Sequence, residues 1–178
     1  MDKQLIHATL SPDIADLIDD IQLFDEIDST NLEALRQIKA GKSGTKLLVA
    51  DAQSAGRGRR DRPWVSPAGS GLYMSLSRAL QSDTDAIQCL SLVTALSVLH
   101  AVESLGASDL QLKWPNDVLV GNQKLAGILL ELHTSKAENH LVFGIGLNLS
   151  LSEEDRERID RPVTDLESIL GGPDKAPD

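Results

Sequence analysis

Four arginines fall within six positions in the stretch AGRGRRDRPW, residues 55–64, with Gly56 and Gly58 threaded among them. Glycines let backbone N–H groups turn toward a bound anion. Arginines supply forked, permanently charged donors. Together they suit a phosphate, a polyphosphate or an acyl-phosphate; a solvated basic loop is the plain alternative. The pattern is neither a P-loop nor a dinucleotide fingerprint, because GxxxxGKS/T and GxGxxG are both missing. Trp64 closes the stretch, where an aromatic can stack on a base, cover a ligand or plug the core.

Four more clusters hold residues of chemical interest. In KWPNDVLV, residues 113–120, Lys113 can neutralise phosphate charge, and Asp117 can hold a hydrated magnesium ion or accept a hydrogen bond. A strand-to-strand turn with a surface ion pair explains the same letters. In QKLAGILLEL, residues 123–132, Lys124 precedes an apolar run containing Gly127. A glycine inside a strand often marks close approach of a ligand or another backbone, whereas a lysine at a strand end is often just solvated. In DSTN, residues 28–31, the hydroxyl and amide groups either meet a polar uncharged ligand or simply cap a helix. In GIGLN, residues 144–148, small residues either admit a nucleoside or allow tight packing. Taken together, these groups are what is needed to bring ATP and a carboxylate together.

The elements that position them can be read from patterning. SPDIADLIDDI starts a short helix, with Ser11 as cap and Pro12 in its first turn. QLFDEID reads as a strand. STNLEALRQIKAG reads as a helix capped by Ser29 or Thr30 and ended by Gly41. TKLLVAD is a buried strand, followed by a long polar loop from Gln53 to about Ser70 of the kind that is usually functional or disordered. GLYMSLSRAL alternates as a strand. The segment 83–106 is the longest helical pattern, apolar over much of its circumference, and is expected to be central and largely buried. Three or four strands follow, with a hairpin turn at Gly121 and Asn122. The polar tail holds a short helix over about 164–170 and then frays. The fold class is α+β: a mixed, mostly antiparallel sheet flanked by helices, carried on one side.

The chain has 178 residues and a formal net charge of -10, which argues against general binding to nucleic acid or membrane surfaces. One cysteine, Cys89, cannot form an intrachain disulfide, so a cytoplasmic setting is expected and the thiol reads as buried. The N-terminus lacks a basic segment followed by an apolar one, so no signal peptide is expected.

In order, STN, AQSAGRGRRDRPWVSP, GSGLYMSL, LKWPNDVLV, QKLAGILLEL and GIGLN closely resemble the catalytic domain of biotin–protein ligases (biotin–acetyl-CoA-carboxylase ligases), from about residue 24 to 150. The resemblance implies a class II aminoacyl-tRNA-synthetase-like catalytic domain spanning 1–178, without the N-terminal DNA-binding and C-terminal β-barrel domains of longer members. It implies ATP- and Mg2+-dependent formation of biotinyl-5′-AMP, then transfer to a lysine of a biotin carboxyl carrier protein. It places Ser29, Thr30, Asn31, Gln53, Gly56, Arg57, Gly58, Arg59 and Lys124 at biotin, and Trp64, Lys113, Asn116 and Asn148 at the nucleotide. Arg57, Arg59, Lys113, Asp117 and Lys124 carry the chemistry, with Asp117 near the metal. A homodimer is compatible with the family, and DNA is not an expected partner. A shortened ligase that holds biotin or its adenylate without transfer, and a lipoate-type ligase, are the alternatives. The family usually has Gly where Asp61 stands. Asp61 either pairs with a neighbouring arginine, weakening the hold on the adenylate, or faces solvent.

Overall fold

The computed structural model describes residues 2–80, 87–135 and 138–171. Its frame is a seven-stranded sheet of β1 (Asp20–Ile27), β2 (Lys46–Gln53), β3 (Gly71–Leu80), β4 (Leu110–Lys113), β5 (Asp117–Val120), β6 (Gln123–His133) and β7 (Asn139–Asn148). The strand order is β1-β2-β3-β7-β6-β5-β4. β1 and β2 run parallel, and the other neighbours run antiparallel. The helices are α1 (Lys3–Thr9), α2 (Pro12–Ala15), α3 (Thr30–Lys39), α4 (Ile87–Ser104), α5 (Glu153–Glu157) and α6 (Leu166–Leu170). α1 and α5 escape the sequence reading because one or two turns carry too few periodic positions.

Helices cover both faces of the sheet, not one as expected. Side chains alternate between faces along a strand. Leu48 and Val142 therefore meet Ala34 and Ile38 of α3 on one face. On the other, Val118, Ala126, Ile128 and Leu147 meet Ala95, Val98, Leu99 and Val102 of α4. Leu72 belongs both to that cluster and to the one under α1, so α1 and α4 share a face. Fully buried Leu48, Leu125 and Leu141 each stabilise the fold by about 1.5–3 kcal/mol.

α4 departs from its expected burial. Leu92, Val93 and Leu96 are 39%, 56% and 41% exposed, because the helix rests on a single layer and buries one stripe. Cys89, expected inside, is exposed. The expected helical residues 83–86 lie outside the described residues, as does the tail beyond 171. Among the described residues no helix is long and apolar enough to cross a membrane.

Candidate active site

The face under α3 carries a strip of glycines. Gly127 of β6 pairs with Gly146 of β7, and Gly144 lies two residues along the same strand. A β-carbon at Gly146 would lie 2.6 Å from Trp64 Nε1, and one at Gly127 2.9 Å from Trp64 Cζ3. At Gly144 it would lie 2.8 Å from Asn31 Cγ. The strip is thus a floor, with the Trp64 indole seated on one end and the Asn31 amide on the other. Trp64 Nε1 is buried and has no hydrogen-bond partner among the described residues.

Ser29 caps α3, its hydroxyl accepting from Leu32 N. This sets Thr30 and Asn31 over the floor. Asp28, just before the cap, accepts two hydrogen bonds from the Arg36 guanidinium at 2.7 and 2.8 Å. That partner holds the Asp28 carboxyl down at about 2. Thr30 N donates to Gln53 Oε1 at 2.9 Å. Around these groups lies a slot of about 50 Å³, lined by Ser29, Thr30, Asn31, Gln53, Arg57, Gly58 and Arg59 among others.

The arginine loop is folded on itself. Gln53 N donates to Ser66 O, Trp64 N to Gly56 O and Gly58 N to Arg62 O, at 2.8–3.0 Å. The Tyr73 hydroxyl pins the exit by donating to Pro67 O at 3.1 Å. Gly56 does not line the slot; a β-carbon there would lie 2.6 Å from Ser66 Oγ. Arg60 and Asp61 at the tip both adopt a φ of 57°, the left-handed region that glycine occupies at least cost. That gives the unusual Asp61 a backbone reason to stand out. Its side chain is exposed, so of the two expected arrangements it takes the solvent-facing one.

The KWPND segment forms a tight turn between β4 and β5. It contains a cis Trp114–Pro115 bond, and Asn116 N donates to Lys113 O at 3.2 Å. Asn116 is fixed by donating to Ile128 O at 2.8 Å and accepts from Arg59 at 3.3 Å. Asp117 pairs with Lys124 at 2.7 Å. Lys124 Nζ also lies 5.0 Å from the Trp64 ring centroid, within cation–π range. Burial pushes the Lys124 ammonium below the usual lysine range, against the opposing pull of Asp117.

A β-bulge explains why Lys124 points here. The register between β5 and β6 shifts at Val118/Leu119, pairing Leu119 with Lys124 and Val118 with Ala126. Consecutive Leu125 and Ala126 both enter the core under α4, so Lys124 falls on the opposite face beside Gly127. Re-aiming a side chain is a recurrent use of bulges.

A larger cavity of about 840 Å³ adjoins the slot and shares Gly58, Arg59, Trp64, Asn116 and Lys124 with it. Seven cationic side chains and two carboxylates line it: Arg59, Arg60, Arg62, Lys113, Lys124, Arg158 and Arg161 against Asp117 and Asp160. Asn148 also lines it. The Asn148 amide nitrogen donates to Lys124 O and Thr164 O at 3.3 and 2.9 Å. Arg158 and Arg161 went unnoticed in the sequence because they sit in a tail that reads as polar coil. They reach the site because residues 162–164 add a backbone bridge to Lys124. Asp165 then fastens the tail by capping α6, accepting from Leu151 N and pairing with Arg156. Glu131, also unremarked in the sequence, accepts from Asn31 Nδ2 at 2.9 Å and pairs with Arg57 at 3.0 Å.

Residues 23–148 match the model of the Biotin/lipoate A/B protein ligase family, and the chain belongs to that family. Among its members, the biotin–acetyl-CoA-carboxylase ligase of Paracoccus denitrificans is 44% identical over 126 residues, covering 69% of this chain and 52% of that protein. The bifunctional ligase/repressor BirA of Escherichia coli is 42% identical over 127 residues, covering 70% and 39%. The chain spans about a third to just over half of the length of the curated relatives it matches. The biotin protein ligase of Aquifex aeolicus in complex with biotin and ATP superposes with a TM-score of 0.69 at 36% identity, covering 86% of this chain and 62% of that one. A lipoate protein ligase of Thermoplasma acidophilum, at 13% identity and a TM-score of 0.59, shares the fold.

Proposed function

We propose that this chain activates biotin with ATP and passes the biotinyl group to one lysine of a biotin carboxyl carrier protein. The observation that carries this reading is the pair of cavities. A slot in which hydroxyl and amide groups stand beside Arg57, Arg59 and Lys124 adjoins a chamber of concentrated positive charge, in a chain whose net charge is -10. Lys124 and Arg59 stand in both walls.

In this reading Ser29, Thr30, Asn31 and Gln53 receive the uncharged ureido end of biotin in the slot. Its carboxylate then points toward Lys124. Attack of that carboxylate on the α-phosphate of ATP forms the acyl–phosphate bond and expels pyrophosphate. Both reactants are anionic, so bringing them together needs fixed positive charge in a site shielded from water. Lys124, Arg57 and Arg59 supply it at the reacting centre; Lys113, Arg158 and Arg161 supply it along the chamber. Trp64 and Asn148 flank the adenosine. The lysine amine of the carrier next attacks the acyl carbon and expels AMP.

Mg2+ on a nucleotide commonly takes one or two protein carboxylates besides phosphate and water, and Asp117, whose oxygens here face Lys124 and Arg161, is the carboxylate on this wall that would meet it. Bound there, it would neutralise phosphate charge.

A slot of about 50 Å³ has room for a few waters, not for a bicyclic acid. In this reading Trp64 and the loop shift when biotin enters, as lids commonly do. The test is mass-spectrometric detection of biotinyl-AMP, with pyrophosphate release, after mixing the protein with biotin and Mg-ATP. Absence of both products sinks the proposal. Preferential turnover of lipoate in competition would replace it with the lipoate reading, and adenylate without carrier labelling with the binding-only one.

A further inference from the structure

We infer that Glu131 is a positioning residue that holds Arg57, and through it the arginine loop, over the activated acid. The inference rests on the ligase reading above. Glu131 stands on β6 in register with Val142, two pairs beyond Leu129–Gly144 on the site face. Its flanking residues in β6 are leucines, Leu130 and Leu132. A carboxylate on an apolar strand tolerates partial burial only when paired, and this one is paired twice, with a different element at each oxygen. Oε1 accepts from Arg57 Nη1 in the loop, at 3.0 Å. Oε2 accepts from Asn31 Nδ2 at the start of α3, at 2.9 Å.

The hydrogen bonds continue into a closed circuit. The Ser75 hydroxyl lies 2.5 Å from Asn31 Oδ1 and 2.7 Å from Thr30 Oγ1. Thr30 N donates to Gln53 Oε1, Gln53 Nε2 donates to Ser66 Oγ, and Ser66 Oγ donates to Trp64 O. The circuit leaves the arginine loop at Arg57 and rejoins it at Trp64, and five of its members, Thr30, Asn31, Gln53, Arg57 and Trp64, line the slot. Glu131 is its one charged link on the sheet. It engages a single Nη of Arg57, so the other edge of the guanidinium stays available to an acyl-phosphate. Fixing a planar fork in this way limits the orientations it must lose on binding.

The experiment measures escape of biotinyl-AMP from the protein, in the absence of carrier, for five chains: unsubstituted, Glu131→Gln, Glu131→Asp, Arg57→Ala and the Glu131→Gln/Arg57→Ala double variant. Glutamine keeps an acceptor for Asn31 and removes the charge facing Arg57. A hydrogen bond to a charged group is strong enough to predict escape about tenfold faster or more in Glu131→Gln. Glu131→Asp should restore part of the retention. In the Arg57→Ala background the glutamine substitution should add nothing, which a merely structural role for Glu131 would not produce. Equal retention by Glu131→Gln, or additive effects in the double variant, overturns the inference. Should Glu131→Gln fail to fold, Glu131→Asp alone and in the Arg57→Ala background carries the same comparison. Failure of the unsubstituted chain to form any adenylate sinks the ligase reading as well. Adenylate formed and held equally by all chains sinks this inference alone.

Discussion

Replacing Gly146 by alanine tests whether the glycine floor seats Trp64. The added β-carbon would lie 2.6 Å from Trp64 Nε1 and 2.7 Å from Cζ2. Non-bonded carbons settle at about 3.5–4.0 Å, so the ring must lift by roughly 1 Å. Forcing extra volume into a packed contact costs about 1–3 kcal/mol. The same ring lies over the Lys124 ammonium at 5.0 Å, so lifting it also disturbs the charge proposed to meet the biotin carboxylate. A misplacement on the order of 1 Å at a reacting centre can cost about 100-fold in rate. We therefore expect Gly146→Ala to lower stability by about 1–3 kcal/mol and adenylate formation by about 100-fold. Fluorescence separates the two tryptophans. Trp114 is 73% exposed, and in a Trp114→Phe background the emission reports Trp64. Gly146→Ala should shift that emission to longer wavelength. Gly144→Ala presses on Asn31 and should leave it in place. Unchanged Trp64 emission together with unchanged stability in Gly146→Ala would refute the seating of the ring.

Three further outcomes are expected. Asp61→Gly places the residue best suited to a φ of 57° at the loop tip; the denaturation midpoint should rise, by up to about 1 kcal/mol in stability, and the adenylate should be held at least as long. Lys124 has a lowered pKa through burial, so it loses its proton at a lower pH than a free lysine; pyrophosphate release should fall as pH rises through that value, below the usual lysine range, and Lys124→Met should abolish both the activity and its alkaline limb. The Asp28 carboxyl is lowered from 3.8 to about 2. Its pairing with Arg36 therefore stabilises the fold fully above about pH 4 and loses that contribution as pH falls through 2. The group is well exposed, so the effect stays below about 1 kcal/mol, and the difference in urea midpoint between Asp28→Asn and the unsubstituted chain should shrink on acidification.

The order of the motifs was enough to place this chain in its family, and local physics made most elements legible. Ser29 caps α3, Gly121 turns β5 into β6, and strict alternation marks β3, because caps, turns and period-2 strands depend on near neighbours. What depends on distant partners was not legible. α4 reads as buried on composition, yet half its circumference faces solvent, because hydrophobicity along a helix does not say how many layers will cover it. Arg158 and Arg161 carry no local signal; the backbone bridge at Lys124 brings them into the cationic chamber. Lys124 reads as the end of an apolar strand, and a single bulge turns it toward the glycine floor. Glu131 reads as one polar letter in GILLEL, and becomes a link between α3 and the loop once β6 lies beside β7. The sequence by itself determined which chemical groups exist and which local elements hold them. Tertiary structure decided which face each group takes and which meet, because strand register and bulges, set by packing across the whole sheet, select one face of every strand for the site.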